Sequence, residues 1–398
     1  MAKTIVILGA NFTGIPIAHY LLKHTAAKVK DLKVIVVAPN THMYWNIASV
    51  RAILPNMMGD DKLFYPIAPG FAKYPSEQYE LVHGLAEKVD PSTNTVEVRG
   101  NDGSARTIQY DDLVIATGSS FKSDMPFKNL SSTEETKKAL HDWAERINSA
   151  KSIVVAGAGA TGIELAGELG QEYASTGKKE ITLVCDLDLP LGDKFKRDVR
   201  ETAKKELENL KVKVITNAKV VPSSSSSTTL TLTQPTPSDG TKTSTLQADL
   251  LIPTYGVVPN TSFLPASMLD ARGYVKQTTS LRAEGHDAIF VVGDAGNLQD
   301  PQGVHADMQV VHVVKLIEAR LLADGQGQGG AAAPAVGEYK PDGKVMFAAT
   351  LGRNKGTGQF GGWKMWSWLV WFMKGRHLGT NHAVAFVKGE RTAMVKDW

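Results

Sequence analysis

The sequence has a single cysteine, Cys185, among 398 residues. One thiol excludes an intramolecular disulfide, a CxxC redox pair and a cysteine-rich metal site. Redox chemistry in this chain must therefore use bound cofactors rather than its own thiols. We predict no metal site.

Long apolar runs and an excess of charge are also missing. No apolar run reaches the ~18 residues that a membrane-spanning helix needs, so we predict none. The formal net charge is +3, from 44 basic and 41 acidic residues, which gives no electrostatic reason for nucleic acid binding. The sequence pI of about 8.6 leaves a weak attraction to anionic lipid open.

The N-terminus leaves little room for a targeting segment. The first predicted strand begins within four residues of Met1, so we expect no cleaved leader. Ala2 stands where N-myristoylation needs glycine. We therefore expect the protein in the cytoplasm, with peripheral membrane contact left open.

Residues 5–22 have the pattern of a strand, a glycine turn and a helix. The apolar run 5–8 stops at Gly9, and a helix with one apolar face opens at Gly14. Glycines at such a turn let the backbone approach a pyrophosphate, and the helix N-terminus directs free N–H groups at it. Asn11 replaces the middle glycine of the usual G-x-G-x-x-G pattern. Because asparagine tolerates positive φ, we expect the turn to survive.

A second copy of this device lies at residues 152–169, with Gly157, Gly159 and Gly162 all in place. Two such turns in one chain are stronger evidence for dinucleotide binding than either turn alone. It predicts an α/β fold with two Rossmann-like dinucleotide-binding domains, and two nucleotides placed to exchange electrons.

The residues expected at the two adenosine riboses differ. An acidic residue normally follows the first turn by about 20 residues, but Ala38 stands there and Asn40 is the nearest polar candidate. Asp186 would take the second ribose, with a solvated loop carboxylate as the alternative. No arginine cluster follows directly, which favours NADH, although the nearby cations Lys194, Lys196 and Arg197 keep NADPH open.

Further segments are candidates for cofactor contacts. Residues 42–55 have helical spacing, from which Arg51 would reach a phosphate or lie solvated. A strand over 113–115 ends in small residues at Ala116, Thr117 and Gly118, where the backbone passes close to a ligand or a strand. Another strand, 289–292, ends at Asp294, and an aspartate at the carboxyl end of a parallel strand faces the ligand crevice. Helices are predicted over 133–147, 195–210 and 304–322, and a strand over 248–256. The serine run 223–227 and the threonine-rich sequence that follows it to residue 245 predict a hairpin with a variable, solvated tip.

Four of the seven tryptophans lie in residues 363–373. We predict a helix there, flanked by Lys364, Lys374 and Arg376, which suits a membrane interface. Packing under the first domain is the alternative.

With these pieces in order, the chain resembles the two-dinucleotide flavoprotein superfamily. Within it the chain is similar to the apoptosis-inducing-factor-like branch of AMID or ferroptosis-suppressor type, which is related to type II NADH dehydrogenases. The resemblance covers nearly the whole chain. Its marks are GANFTG from Gly9, residues 44–55 with Asn46 and Arg51, ATG from Ala116, GAGATGIE from Gly157, GVVPN from Gly256, VVGD from Val291 and GRNKGTGQFGG from Gly352 with the tryptophan-rich segment.

The resemblance implies an FAD domain over 1–120 and 265–325, an NAD(P)H domain over 121–264, and a C-terminal α+β domain over 326–398. FAD would be held by Gly9, Asn11, Phe12, Thr13, Gly14, Asn40, Arg51, Ala86, Ala116, Thr117, Gly118, Asp294 and His305. NADH or NADPH would be held by Gly157, Gly159, Ala160, Thr161, Gly162, Glu164, Asp186 and Gly256, and an acceptor would lie near Phe360 and Trp363.

By the same resemblance, hydride passes from NAD(P)H to the flavin and electrons then pass to a quinone. Such chemistry needs positioning more than acid–base residues, so no catalytic side chain is assigned; Glu164 and His305 are candidates. His305 would relay a proton or simply bond to backbone at its helix start. Two other functions stay open: a flavoenzyme acting on one specialised metabolite, and a nucleotide-regulated signalling protein.

Overall fold

The computed structural model describes residues 3–221, 229–235, 240–325 and 335–398. The strands are β1 Lys3–Leu8, β2 Leu32–Ala38, β3 His42–Tyr44, β4 Phe64–Pro66, β5 Tyr79–Asp90, β6 Thr95–Gly100, β7 Ala105–Gln109, β8 Asp112–Ile115, β9 Ser119–Phe121, β10 Ser152–Ala156, β11 Glu180–Val184, β12 Lys213–Ile215, β13 Lys219–Val221, β14 Thr229–Pro235, β15 Thr241–Gln247, β16 Leu250–Pro253, β17 Val257–Pro259, β18 Ile289–Val291, β19 Met346–Leu351, β20 Lys355–Phe360 and β21 Trp363–Met365. The α-helices are α1 Gly14–Tyr20, α2 Ser49–Ala52, α3 Ile67–Phe71, α4 Thr133–Ser149, α5 Ala160–Leu169, α6 Arg197–Asn209, α7 Gly303–Gly325, α8 Ser367–Val370 and α9 Ala383–Val387. Short π-helical turns at Leu21–Thr25, Gly170–Ala174 and Trp371–Gly375 extend α1, α5 and α8.

The first domain is built on a sheet of order β18-β8-β1-β2-β5-β6-β7. The strands from β18 to the first half of β5 are parallel, and β5 then continues into an antiparallel meander with β6 and β7. Its central strand β1 is buried on both faces, as its unbroken apolar run predicts. The parallel strands end at one edge of the sheet, which places the first glycine turn, Ala38 and Ala116 side by side.

The second domain repeats the plan on a smaller scale. Its parallel sheet has the order β12-β11-β10-β16, with β10 leading into the second glycine turn. An antiparallel sheet of β13, β14 and β15 lies beside it, and the pair β17–β9 crosses between the two domains. The predicted α/β class with two dinucleotide-binding sheets is confirmed.

The C-terminal segment forms the antiparallel sheet β19-β20-β21 against the second domain and then returns to the first. Trp398 at the chain end donates its indole N–H to the Pro16 carbonyl on α1 at 2.8 Å. Phe386 of α9 stacks edge-on to Phe12 in the first turn. The tail therefore packs against the first nucleotide turn as well as against the second domain.

Several sequence predictions differ from the structure at this level. Residues 42–55 do not form one helix, because β3 pairs with β4 before a short 3-10 turn and α2. The strand predicted to reach Gly256 ends at Pro253 and resumes as β17. The hairpin strands are present as β14 and β15, whereas residues 223–228 and 236–239 of the predicted hairpin lie outside the described residues.

The prediction of a helix over the tryptophan-rich residues 363–373 is also wrong in its first part. Trp363 is the first residue of β21 and pairs with Phe360, so only α8 and the turn that follows it are helical. In the described part of the chain, no helix combines the length and apolar character needed to cross a membrane.

Candidate functional site

The two glycine turns have nearly the same geometry. Gly9 has φ +107° and Gly157 has φ +101°, a conformation that side chains disfavour. A Cβ at Gly14 would lie 1.9 Å from the Gly9 carbonyl oxygen, and a Cβ at Gly162 would lie 1.9 Å from that of Gly157. The outer glycines are therefore required by close packing of helix on strand. Asn11 does not take positive φ, so that part of the prediction was wrong.

A cavity of about 760 Å³ opens beside the first turn, at the carboxyl ends of β1, β2 and β8. Its size is within the ~300–1,000 Å³ range of cofactor sites. Of the predicted FAD residues it is lined by Gly9, Asn11, Asn40, Ala86, Ala116 and Thr117.

Asn11 has an unfilled hydrogen-bonding position in this cavity. Its amide Nδ2 donates to the Tyr44 carbonyl at 3.3 Å, while its Oδ1 is buried without a partner. A buried polar atom without a partner is costly unless a ligand or water satisfies it. Together with the open glycine turn, this fits a bound dinucleotide.

Sequence reasoning missed much of the cavity wall. The segment leading into α4 contributes Asn129, Leu130 and Ser131, and the first turn of α4 contributes Glu135. The chain after β17 contributes Asn260 and Phe263. In the sequence, Asn260 belongs to the GVVPN segment, which by itself does not indicate a place in the cavity wall. The Ser132–Glu135 spacing is a capping-box pattern, and it marks the N-terminus of α4 but not its position beside the cavity.

Three predicted FAD residues support the turn from behind. Thr13 donates its hydroxyl to the Ala116 carbonyl at 3.4 Å, and Phe12 packs against Trp45. Gly118 takes φ +66°, and its carbonyl accepts from the Asn260 N–H at 3.0 Å. These contacts join the turn to the strand end at β8 and to the crossover at β17.

Arg51, Asp294 and His305 are not among the residues that line this cavity. Asp294 accepts from Lys128 Nζ at 2.7 Å and from the Ser119 hydroxyl at 2.8 Å. Burial alone would raise its pKa, but Lys128 and Ser119 outweigh burial and hold the pKa below its usual value. His305 Nδ1 forms a hydrogen bond with the Asp300 carbonyl at 2.9 Å. Of the two roles predicted for His305, this contact is the bond to backbone at the start of its helix.

The second turn is open at its tip. Gly159 and Ala160 are exposed, Thr161 is half-buried, and Thr254 donates its hydroxyl to the Gly157 carbonyl at 2.8 Å. Asp186 is exposed just beyond β11, and Gly256, with φ +82°, accepts from the Lys122 N–H at 3.0 Å. The arrangement leaves the start of α5 and the Asp186 carboxylate free for a nucleotide.

The cations near Asp186 are already engaged. Lys194 pairs with Asp300 at 2.6 Å, and Arg197 pairs with Glu201 at 2.9 Å and with Asp188 at 3.3 Å. The Lys196 ammonium donates to the Gly362 carbonyl at 3.0 Å.

Helix α5 carries two buried carboxylates that bind different domains. Glu164 accepts at one oxygen from Lys374 Nζ at 2.7 Å and from the Thr350 N–H at 2.8 Å, so it satisfies the edge strand β19. Glu168, one turn later, accepts from Arg51 Nε at 2.9 Å and Nη2 at 2.7 Å. Burial raises the pKa of Glu168, and Arg51 opposes that rise. Arg51 and Glu164 thus join the first domain, α5 and the C-terminal segment.

Two matching glycine turns on two parallel sheets, one beside a dinucleotide-sized cavity, define an oxidoreductase that pairs two dinucleotides. The chain belongs to the pyridine nucleotide-disulphide oxidoreductase family, whose model matches residues 3–313. Its cofactors are FAD and NAD(P)H.

Known relatives extend over nearly the whole chain. Oxidoreductase ptaL of Pestalotiopsis fici is 38% identical over 92% of this chain and 94% of its own length. Human ferroptosis suppressor protein 1 is 25% identical over 95% of this chain and 94% of its own length, which confirms the predicted resemblance. The sulfide:quinone oxidoreductase of Aquifex aeolicus has the same fold, with a TM-score of 0.73 at 14% identity, covering 98% of this chain and 92% of that one.

Proposed function

We propose that this protein takes hydride from NAD(P)H and delivers the electrons, through FAD, to a quinone-type acceptor. The observation that carries the proposal is the single cysteine. Cys185 is buried, its thiol contacts the Leu189 carbonyl at 3.2 Å, and burial raises its pKa. A lone, protonated thiol provides no dithiol relay to a disulfide substrate. The electrons must therefore leave the cofactor directly for an acceptor that reaches it.

FAD, when bound, supplies the redox step, since its ring accepts hydride and releases electrons one or two at a time. The chain's own residues position and shield it. The first turn would hold the cofactor's pyrophosphate at its free backbone N–H groups, and Asn11 Oδ1 would accept a hydrogen bond from a hydroxyl of the cofactor, while Ala86 and Ala116 leave room for close approach. The second turn presents α5 to the reductant, and the Glu164–Lys374 pair holds that helix against the C-terminal sheet.

The fold shared with a sulfide:quinone oxidoreductase supports the choice of acceptor. Phe360 and Trp363, which are exposed, stay predicted acceptor contacts, since a planar, apolar acceptor suits aromatic surroundings.

An anaerobic visible spectrum of the purified protein tests the first half-reaction. We expect a yellow protein whose flavin absorbance bleaches on addition of NADH or NADPH. Steady-state assays with ubiquinone and menadione analogues then test the acceptor. A colourless protein that does not take up added flavin would contradict the redox assignment as a whole.

A second candidate is a flavoenzyme that acts on one specialised metabolite. The higher identity to the Pestalotiopsis fici oxidoreductase, 38% against 25% for the human relative, favours it. Flavin that is bleached by NADH but shows negligible turnover with every quinone would select this function over the first.

A further inference from the structure

The first domain lacks the acid that usually holds the adenosine ribose of a dinucleotide. Ala38 ends β2 at that position, and its methyl group cannot accept a hydrogen bond. Asn40 is 7% exposed, and its Oδ1 accepts from the Thr133 hydroxyl at 3.5 Å. The ribose hydroxyls of FAD, the cofactor on which this inference rests, need a stronger acceptor from elsewhere.

The first turn of α4 is fixed to this part of the chain. Thr133, which is buried, accepts a hydrogen bond from the Thr41 N–H at 3.1 Å, in addition to its contact with Asn40. Glu135 lies two residues further along the helix and lines the same cavity as Ala38 and Asn40. A carboxylate on α4 thus lines the same cavity as the end of β2, where no charged side chain is present.

The Glu135 carboxylate is available to a ligand. It is exposed, accepts a hydrogen bond from the Ser131 hydroxyl, and forms no ion pair with any residue the structure describes. No lysine or arginine lines the cavity, so no described cation competes for it. Asp124 is the other acid in the lining, but it lies in the loop after β9 and lacks a link to residues 38–41.

We propose that Glu135 accepts hydrogen bonds from the adenosine ribose hydroxyls of FAD, in place of the absent acid at Ala38. The assignment moves a binding role from the sheet to the crossover helix. Glu135 is a binding residue and takes no part in electron transfer.

Titration of the apoprotein with FAD, followed by flavin fluorescence, tests the assignment without any turnover. Glu135→Gln should weaken binding by about tenfold, because a charge-assisted acceptor becomes a neutral one. Glu134→Gln, on the same turn of α4 but outside the cavity lining, is the matched control and should leave binding unchanged, while Asp124→Asn tests the other acid of the lining. Adding Ala38→Asp to Glu135→Gln should recover affinity, which a purely structural role of Glu135 would not allow.

Unchanged FAD binding in Glu135→Gln, or a larger loss in Asp124→Asn, would overturn the assignment while leaving the proposed function intact. Failure of the wild-type protein to bind FAD would overturn both.

A second, independent feature is an aromatic surface on the C-terminal sheet. Alternation along β20 points Thr357 and Gln359 toward α6: the Thr357 hydroxyl donates to the Val199 carbonyl at 3.1 Å, and Gln359 accepts from the Lys196 N–H at 2.8 Å. Gly356 and Gly358 face the other way, where a Cβ on Gly356 would meet Val370 of α8 at 2.4 Å. The sheet thus has an inner face on α6 and an outer face under α8.

The outer face continues into exposed aromatic side chains. Phe360 follows Gly356 and Gly358 in the alternation, and Trp363 lies directly across from it. The aromatic surface consists of Phe360, Trp363, Trp366, Trp368 and Phe372, which are 58% to 81% exposed. Trp366 and Trp368 stack with ring centroids 6.1 Å apart. Exposed apolar patches of this kind mark interaction sites.

The segment that carries the aromatic surface has charge of one sign, since residues 343–389 contain no aspartate or glutamate. Two of its cations, Arg353 and Lys374, pair with Glu172 and Glu164 of the second domain. The others form no ion pair with a residue that the structure describes: Lys344, Lys355, Lys364, Arg376 and Lys388. A second copy of the same surface would add like charge to like charge. A bilayer with anionic lipid complements it, and tryptophan prefers the headgroup region.

We infer that the aromatic surface docks the protein on bilayers that contain anionic lipid. Co-sedimentation with phosphatidylcholine vesicles, with and without phosphatidylserine, tests this. The protein should pellet with the anionic vesicles, and added salt should release part of it. The double variant Trp366→Ser/Trp368→Ser should lower binding about tenfold, whereas Val384→Ser, another exposed apolar site of the tail, should not.

Equal binding by the double variant would overturn the inference. So would a dimer that the same substitutions dissociate, since a second copy would then cover the surface.

Discussion

At the residue scale, close packing decides which glycines are essential. The turns tolerate asparagine at position 11, because that position needs no positive φ, whereas Gly14 and Gly162 have no room for a methyl group. We predict that Gly162→Ala leaves the protein yellow but lowers kcat/KM for NADH by about a hundredfold, as a turn displaced by roughly 1 Å would do. Flavin content and steady-state rates check this.

Gly14→Ala is the matched variant at the other turn, and it should lose flavin instead. If Gly162→Ala lost flavin while Gly14→Ala retained it, the two turns would have been assigned to the wrong nucleotides.

We propose that Asp186 and its neighbours determine which nicotinamide cofactor the protein prefers. The exposed carboxylate would accept from a ribose hydroxyl and repel a 2′-phosphate, and Lys194 and Arg197 are already paired with acids. We expect a higher kcat/KM for NADH than for NADPH. Asp186→Ser should lower the ratio of kcat/KM for NADH to kcat/KM for NADPH by about tenfold. Lys194→Met serves as a control, and a preference for NADPH in the wild type would contradict the prediction.

At the element scale, α5 is the helix through which the three parts of the molecule meet. Glu168 is 1% exposed at its side chain and depends on Arg51 from α2 for compensation. Arg51→Met should therefore cost about 3–5 kcal/mol in the free energy of unfolding, because it leaves a buried carboxylate unpaired. Arg51→Met/Glu168→Leu should regain most of that loss. Chemical denaturation of the two single variants and the double variant measures the coupling, and additive losses would show that the pair does not matter.

Element boundaries show where sequence patterns were insufficient. The spacing of Trp363, Trp366 and Val370 fits a helix, yet pairing of Trp363 with Phe360 makes the start of that segment a strand. Only the partner strand decides between the two, and it is not visible in local periodicity. Long helices with clear caps, such as α4 behind Ser132, were predicted to within a few residues.

At the scale of the whole molecule, the tail makes stability depend on pH. His19 on α1 is fully buried, and its ring nitrogens contact the Tyr74 hydroxyl at 2.9 Å and the Val387 carbonyl at 2.8 Å. Burial lowers the pKa of His19 from 6.5 to about 3. Below pH 6.5 the unfolded chain binds a proton at His19, whereas the folded protein binds none until the pH approaches 3. The free energy of unfolding therefore falls as pH drops from 6.5 toward 3, by up to about 1.4 kcal/mol per pH unit.

The variant His19→Gln has no imidazole to protonate at this position. The difference in free energy of unfolding between the wild type and His19→Gln should therefore shrink by about 2 kcal/mol when the pH is lowered from 7 to 5. Denaturant midpoints at the two pH values check it. An advantage that stays constant would mean that His19 titrates normally in the folded protein.

The sequence by itself determined the two nucleotide turns, the α/β class, the family and the cofactors, because each turn is a local strand–glycine–helix signal that needs no distant partner. It also placed Gly9, Asn11, Ala86 and Ala116 at one site. Only the tertiary structure decided that Arg51 binds Glu168, that Glu164 supports the edge of β19, and that Glu135 lines the same cavity as Ala38. Those pairings join residues far apart in the chain, and side chains that look alike in sequence acquire partners only when the sheets and helices pack.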